Sequence, residues 1–266
     1  MAGEGNGLGA YVEDLQASGR YTFTKEAAVR KLGVSALAFR RAAARLVEKR
    51  RLGMPRRGFY VVVPVEYRVA GAPPAVWFID AFMKHLGERY YVGVLSAAAL
   101  HGAGHQQAQE LQVVVGTPLR PVTVGRARVA FLRKRRLDRT PTTKAKTDTG
   151  TAIVSTPEAT VFDLLHYADR AGGLSNAATV ISELGEVLDP RKLLRAAKAD
   201  VELACVQRAG FLLDLVGRQE LADPLARWLR AQSPRLVALR PGKAGRRAPI
   251  DRRWMMRVNE KVEAEA

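Results

Sequence analysis

Along the first fifty residues, apolar positions recur at the intervals that gather them on one side of an α-helix. Tyr11, Val12 and Leu15 share such a side in Ala10–Ala17, and Ser18-Gly19 ends the run, which predicts a first helix. Thr24 precedes Lys25–Leu32 as a hydroxyl able to accept from an early backbone N–H, and Gly33 closes the segment. A second helix is expected there. Ser35 then stands before a longer run from Ala36 to about Arg50, joined to the second helix by the short Gly33-Val34 link. Two capped helices around a glycine turn make the pattern of a helix-turn-helix.

The helical period divides the third helix into two sides. Ala36, Phe39, Ala43, Leu46 and Val47 fall inward, while Leu37, Ala38, Arg41, Arg45 and Glu48 fall opposite, with Arg40 and Ala44 on a flank. Small side chains and arginines on an outward side suit a DNA major groove roughly 12 Å wide. Arg41 and Arg45 are the expected base readers, since a guanidinium can fork onto N7 and O6 of guanine. Arg40 and Ala38 complete the contact face, and Ser35 at the helix start can donate to a phosphate. After this helix, Leu52-Gly53-Met54 and Phe59–Val63 read as two strands around the turn Pro55-Arg56-Arg57-Gly58, a hairpin wing. Arg56 and Arg57 at its tip are expected on the phosphate backbone or in the minor groove. Pro64 and Gly71-Ala72-Pro73-Pro74 mark a boundary near residue 70.

Beyond that boundary the pattern predicts helices over Pro74–Leu86 and Leu95–His101. Short β-branched strands follow at 111–115, 122–124, 128–132 and 152–154. Alternation in Arg126–Phe131 places basic side chains on one strand face, an expected second phosphate-contacting surface. Thr156-Pro157-Glu158 opens a helix with a cap, a first-turn proline and an early acid. Four further helices are expected at 175–184, 190–199, 201–215 and 220–229, then last strands at 236–239 and 253–258. The expected fold is α+β in two domains. Residues 1–70 form a winged helix-turn-helix DNA-binding domain, and residues 71–266 form a larger, helix-rich mixed domain.

Charge sharpens this picture. The 266 residues carry 43 Lys and Arg against 26 Asp and Glu, a formal net charge of +17 that calls for a polyanionic partner. The excess sits in three segments: net +7 over residues 1–70, +9 over 118–146 and +7 over 235–261. Cys205 is the one cysteine, which excludes a disulfide framework and fits a reducing compartment. With no leader or long apolar run, the expectation is a cytoplasmic protein without membrane contact.

Candidate chemistry is thin. His101 and His105 have the spacing of two metal ligands on a helix, but Gly102 and Gly104 weaken that helix and no acid lies between them. Asp200-Val201-Glu202 resembles a paired-carboxylate motif yet lacks a preceding phosphate-binding loop, so helix surface is the better reading. Ser96, Ser155 and Cys205 have no setting that marks a nucleophile. No catalytic residue, metal or cofactor is expected. Two alternatives stay open: a nuclease-like enzyme using the basic strands, and a winged-helix regulator controlled by a small ligand.

Three blocks give the chain a wider likeness: Tyr90-Tyr91-Val92-Gly93-Val94-Leu95-Ser96-Ala97-Ala98-Ala99-Leu100-His101-Gly102, Ser155-Thr156-Pro157-Glu158-Ala159-Thr160-Val161-Phe162-Asp163-Leu164 and Arg253-Trp254-Met255-Met256-Arg257-Val258-Asn259. With the amino-terminal winged helix, the pattern resembles the AbiEi family, the antitoxin and transcriptional repressor of type IV toxin-antitoxin systems in abortive infection and phage defence. The resemblance implies binding to double-stranded DNA at inverted repeats in the protein's own promoter. It also implies neutralisation of a cognate AbiEii-like nucleotidyltransferase toxin, an activity ascribed in the family to the carboxy-terminal domain, with direct toxin contact left open. His101 and Pro157 read as structural within their blocks, a buried helix and a capped helix start.

Overall fold

The computed structural model describes residues 7–103, 110–200 and 202–264. Within them the chain forms two compact units. The first takes residues up to Tyr91, those from 110 to Lys134, and Lys144–Ile153; the second takes Val92 to 103, Arg135–Thr143 and Val154 onward. The first unit therefore runs on past residue 70. The architecture mixes helices and sheets throughout.

The first unit opens with α1 (Leu8–Ala17), β1 (Thr22–Thr24), α2 (Lys25–Leu32), α3 (Ala36–Glu48), β2 (Leu52–Arg56) and β3 (Phe59–Val62). The three strands form a sheet in the order β1-β3-β2, with Thr22 opposite Val61 and Leu52 opposite Val62, all antiparallel. Leu8, Val12 and Leu15 recur along α1 and bury against Phe23, Phe39, Ala43, Leu52, Tyr60 and Val62. Phe23 stacks on Tyr60 with centroids 5.3 Å apart, and Tyr11 and Phe39 meet this pair edge-on. Strand β1 is a difference from the sequence expectation, which left residues 20–23 as a link. Only Phe23 of its three residues is buried, too short a pattern to read.

The same unit continues through a short 3-10 turn at Ala75–Trp77 into α4 (Ile79–Leu86), where one helix over Pro74–Leu86 was expected. Trp77 is half-buried between the rings of Tyr21 and Tyr67, and its indole N–H donates to Asp148 at 2.8 Å. A six-stranded sheet runs in the order β6-β7-β5-β4-β9-β8, from β4 (Tyr90–Val92), β5 (Leu111–Val115), β6 (Val122–Val124), β7 (Ala127–Arg133), β8 (Thr142–Thr147) and β9 (Gly150–Ser155). β5 and β7 pair in parallel from Leu111–Val129 to Val115–Arg133. The β6–β7 turn packs closely on the end of the amino-terminal segment: Arg126 N–H donates to Ala70 carbonyl at 2.7 Å, and a Cβ at Gly125 would lie 2.2 Å from that oxygen. Only glycine fits there, and its φ of +52° is the left-handed region glycine tolerates. Strands β4 and β8 were not expected. β8 reads Thr-Thr-Lys-Ala-Lys-Thr, a polar run suited to a sheet edge, where lysines discourage pairing with another chain.

The second unit is mainly helical: α5 (Val94–Leu100), α6 (Pro157–His166), α7 (Gly173–Leu184), α8 (Pro190–Asp200), α9 (Leu203–Leu215) and α10 (Gln219–Arg230). α6 is its centre, with every residue from Glu158 to Leu165 buried. Its Thr156 cap accepts from Ala159 N–H at 3.3 Å, as the Thr-Pro-Glu start predicts. After α10 comes a small sheet, β10 (Val237–Ala238), β12 (Met256–Arg257) and β11 (Ile250–Asp251) in spatial order. It is tied to α9. The Gln207 amide donates to the carbonyls of Arg235, Trp254 and Met255, and the Trp254 indole donates to Asp214 at 2.7 Å. Gly210 leaves room for the Trp254 ring, which a Cβ would meet at 2.0 Å.

Candidate nucleic-acid interface

Helix α3 begins where Ser35 Oγ accepts from Ala38 N–H at 3.1 Å, which uses one lone pair of the exposed hydroxyl and leaves its proton to donate elsewhere. α2 before it is capped by Thr24, which accepts from Ala27 N–H at 3.2 Å, and ends at Gly33 with a left-handed φ of +64°. Phe39 and Ala43 are the buried residues of α3, with Ala42, Leu46 and Val47 half-buried beside them. Ala36, expected inward, is exposed, because its first-turn position lies past the edge of the core.

The opposite side is open. Leu37, Ala38, Arg40, Arg41, Ala44, Arg45 and Glu48 are all exposed. Among the described residues none of Arg40, Arg41, Arg45, Arg56 and Arg57 pairs with a carboxylate, so their charge is uncommitted. Leu37, 47% exposed, lies one helical turn before Arg41, and Met54 on β2 is 46% exposed. Sequence reasoning put Leu37 on the outward side of α3 but counted neither residue among the candidate contacts. A large apolar side chain facing water within an arginine face is the signal that could have included them, since such groups meet thymine methyls.

The turn between β2 and β3 carries Arg56, half-buried, and Arg57, exposed, with Gly58 at φ +90°. Gly58 carbonyl accepts from Lys25 N–H at 2.8 Å, which fixes the turn to the start of α2. Neighbouring arginines are engaged otherwise: Arg51 pairs with Glu13 at 2.8 Å, and Arg50 Nη1 approaches Val69 carbonyl at 3.4 Å.

The other two basic segments differ from this face. In β7, Val129, Ala130 and Leu132 are buried and Arg128 is exposed, while Arg126 lies in the preceding turn. The expected alternating basic strand face is therefore reduced to Arg128 and strand-end neighbours. In the carboxy-terminal segment much of the charge is used internally. Arg240 pairs with Asp169, Lys243 with Glu260, and Arg253 with Asp214 and Asp223, while Arg257 donates to the Arg246 carbonyl. Arg235, Arg246, Arg247 and Arg252 stay exposed.

The residues considered for catalysis make internal hydrogen bonds where they are described. His101 Nε2 lies 2.7 Å from Ser155 carbonyl, Ser155 Oγ bonds Thr160 Oγ1 at 2.7 Å, and Cys205 is buried against Phe162 carbonyl. His105, Val201 and the Asp200 side chain lie outside the described residues, and Glu202 is exposed at the start of α9. Among the described residues no three His, Cys, Asp or Glu side chains are grouped as a metal site would need, and no helix is long and apolar enough to cross a membrane. The shifted ionisations follow packing: burial pushes the Tyr60, Tyr90 and Tyr167 hydroxyls up, and burial lowers Arg208, which donates to the carbonyls of Ala238 and Leu239.

Comparison with known proteins adds to this geometry. The crystal structure of RV2827C protein from Mycobacterium tuberculosis superposes with a TM-score of 0.66 at 14% identity, over 92% of this chain and 89% of that one. That likeness is one of fold. No curated protein matches the sequence. Residues 91–215 match the family described as AbiEi antitoxin C-terminal domain, a span that holds the block at 155–164 and all but Tyr90 of the block at 90–102, so this part of the chain is similar to that antitoxin domain.

Proposed function

We propose that this protein is an antitoxin and also a sequence-specific DNA-binding autorepressor, with residues 1–70 acting as a winged helix-turn-helix and residues 71–266 supplying the antitoxin activity. The observation that carries the reading is the open face of α3, where Arg40, Arg41 and Arg45 stand exposed and unpaired beside Ala38 and the capping Ser35. The order helix, strand, helix, helix, hairpin supports it, since α3 then serves as the recognition helix and the hairpin as the wing. In this reading Arg41 and Arg45 read guanines in the major groove. Ser35 and Arg40 hold the flanking phosphates, and Arg56 and Arg57 hold the backbone or minor groove beside them. The toxin opposed is an AbiEii-like nucleotidyltransferase, and the protein acts in the cytoplasm by binding, without catalysis.

A promoter fusion together with toxin co-expression separates the two activities. The full-length protein is expected to silence its own promoter and to restore growth against the toxin. The R40A/R41A/R45A variant is expected to restore growth and lose silencing. Silencing that survives the triple substitution would remove α3 from the DNA site.

A further inference from the structure

Within the first unit a cleft of about 530 Å³ opens between the last turn of α3, the start of β2, the segment around Val69 and the β6–β7 turn. Its walls are apolar, from Val47, Leu52, Val69 and Val124, and two guanidiniums stand at it, Arg50 and Arg126. Neither Asp nor Glu lines it among the described residues. The volume is in the range of small-molecule sites, which are mostly apolar with a few placed polar groups.

The placement of Arg50 singles it out. It follows the carboxy-terminal turn of α3 with φ +52°, the left-handed region, where its N–H bonds Val47 carbonyl and the next N–H, from Arg51, bonds Leu46 carbonyl. Such a closing position normally holds glycine, and an arginine there is conformationally unfavourable. The conformation sets Arg50 at the cleft, where its one side-chain hydrogen bond among the described residues is the long 3.4 Å contact to Val69 carbonyl. Arg126, which lines the same cleft, is exposed, with no side-chain partner among the described residues. An unfavourable backbone kept at a cleft points to a use for the side chain it presents.

We propose that this cleft binds a small organic anion, a carboxylate, sulfonate or phosphate held by Arg50 and Arg126 with an apolar body against the Val and Leu walls. The site is additional to the DNA-reading face and stands or falls without it. 8-Anilinonaphthalene-1-sulfonate is a suitable probe because it joins an anionic head to an apolar ring system and brightens when bound out of water. N-phenyl-1-naphthylamine, its uncharged counterpart, serves as the control. The full-length protein is expected to bind the sulfonate saturably, and the neutral compound at least about tenfold more weakly, for want of the charge-assisted bonds. Arg50→Gly and Arg126→Gln are each expected to weaken the sulfonate about tenfold. Arg50→Gly is expected to keep or raise the melting temperature, because glycine suits the left-handed position, so its loss of binding is not a loss of fold. Equal binding of both dyes, or unchanged sulfonate binding in the Arg50→Gly/Arg126→Gln variant, would overturn the site. Unchanged dye binding with a salt slope for duplex DNA lowered by about one unit per arginine would overturn it too, and make the pair phosphate contacts.

Discussion

Helices α3 and α6 start alike and serve opposite ends. Each is capped by a hydroxyl that accepts from the N–H three residues on, Ser35 to Ala38 in one and Thr156 to Ala159 in the other. α6 then buries every residue from Glu158 to Leu165, whereas α3 buries Phe39 and Ala43 and turns its arginines to solvent. The family match, over 91–215, includes the buried helix α6, and the exposed arginines of α3 lie outside it. A resemblance carried by packing speaks for the scaffold. The reading of function at α3 has to rest on exposure, charge and chemistry.

The contrast breaks most visibly at the core. Leu164 in α6 is fully buried, so Leu164→Ala is expected to cost about 2 to 5 kcal/mol through lost burial and the cavity left behind. Urea unfolding measures it, and a change under about 0.5 kcal/mol, typical of surface positions, would contradict a packed role for α6. On the open helix, Arg41→Ala is expected to leave the unfolding midpoint unchanged and to cost about 1 to 3 kcal/mol of operator binding, with relaxed preference at the base pair it reads. Uniform weakening on all duplexes would instead make Arg41 a phosphate contact.

Smaller effects sharpen the comparison. Ser35→Ala removes the cap of α3 and is expected to lower stability by about 1 kcal/mol, with Ser35→Gly costing only a few tenths. If the two substitutions are equivalent, the 3.1 Å hydroxyl bond contributes nothing. Arg56→Ala and Arg57→Ala are each expected to weaken binding to every sequence and to lower the salt slope by about one unit. A slope that stays put would detach the hairpin from the interface.

Much of this was legible in the sequence because caps and the helical period are local signals. Ser35, Thr24, Gly33 and the spacing of Phe39 and Ala43 place α2 and α3 without reference to the rest of the chain. The strands β1, β4 and β8 were not legible. Two of them have three residues, and β8, at a sheet edge, is polar but for Ala145, so no apolar alternation marks it. Nor could Lys49-Arg50-Arg51 reveal the left-handed backbone of Arg50, since the usual sign, a glycine, is missing. The carboxy-terminal charge misled for another reason. Composition counts Arg240, Lys243 and Arg253 as free cations, and the tertiary structure pairs each with an acid.

The most direct test of α3 as a sequence reader is a mobility shift of the full-length protein on its own upstream region against a scrambled duplex of equal length, across about 50 to 200 mM salt. The account predicts a shift on the upstream region that persists to the upper end of that range while the scrambled duplex is released, and a gap between the two that closes in Arg41→Ala. Equal binding to both duplexes, lost together as salt rises, would make the +17 charge a general polyanion surface and contradict sequence reading by α3.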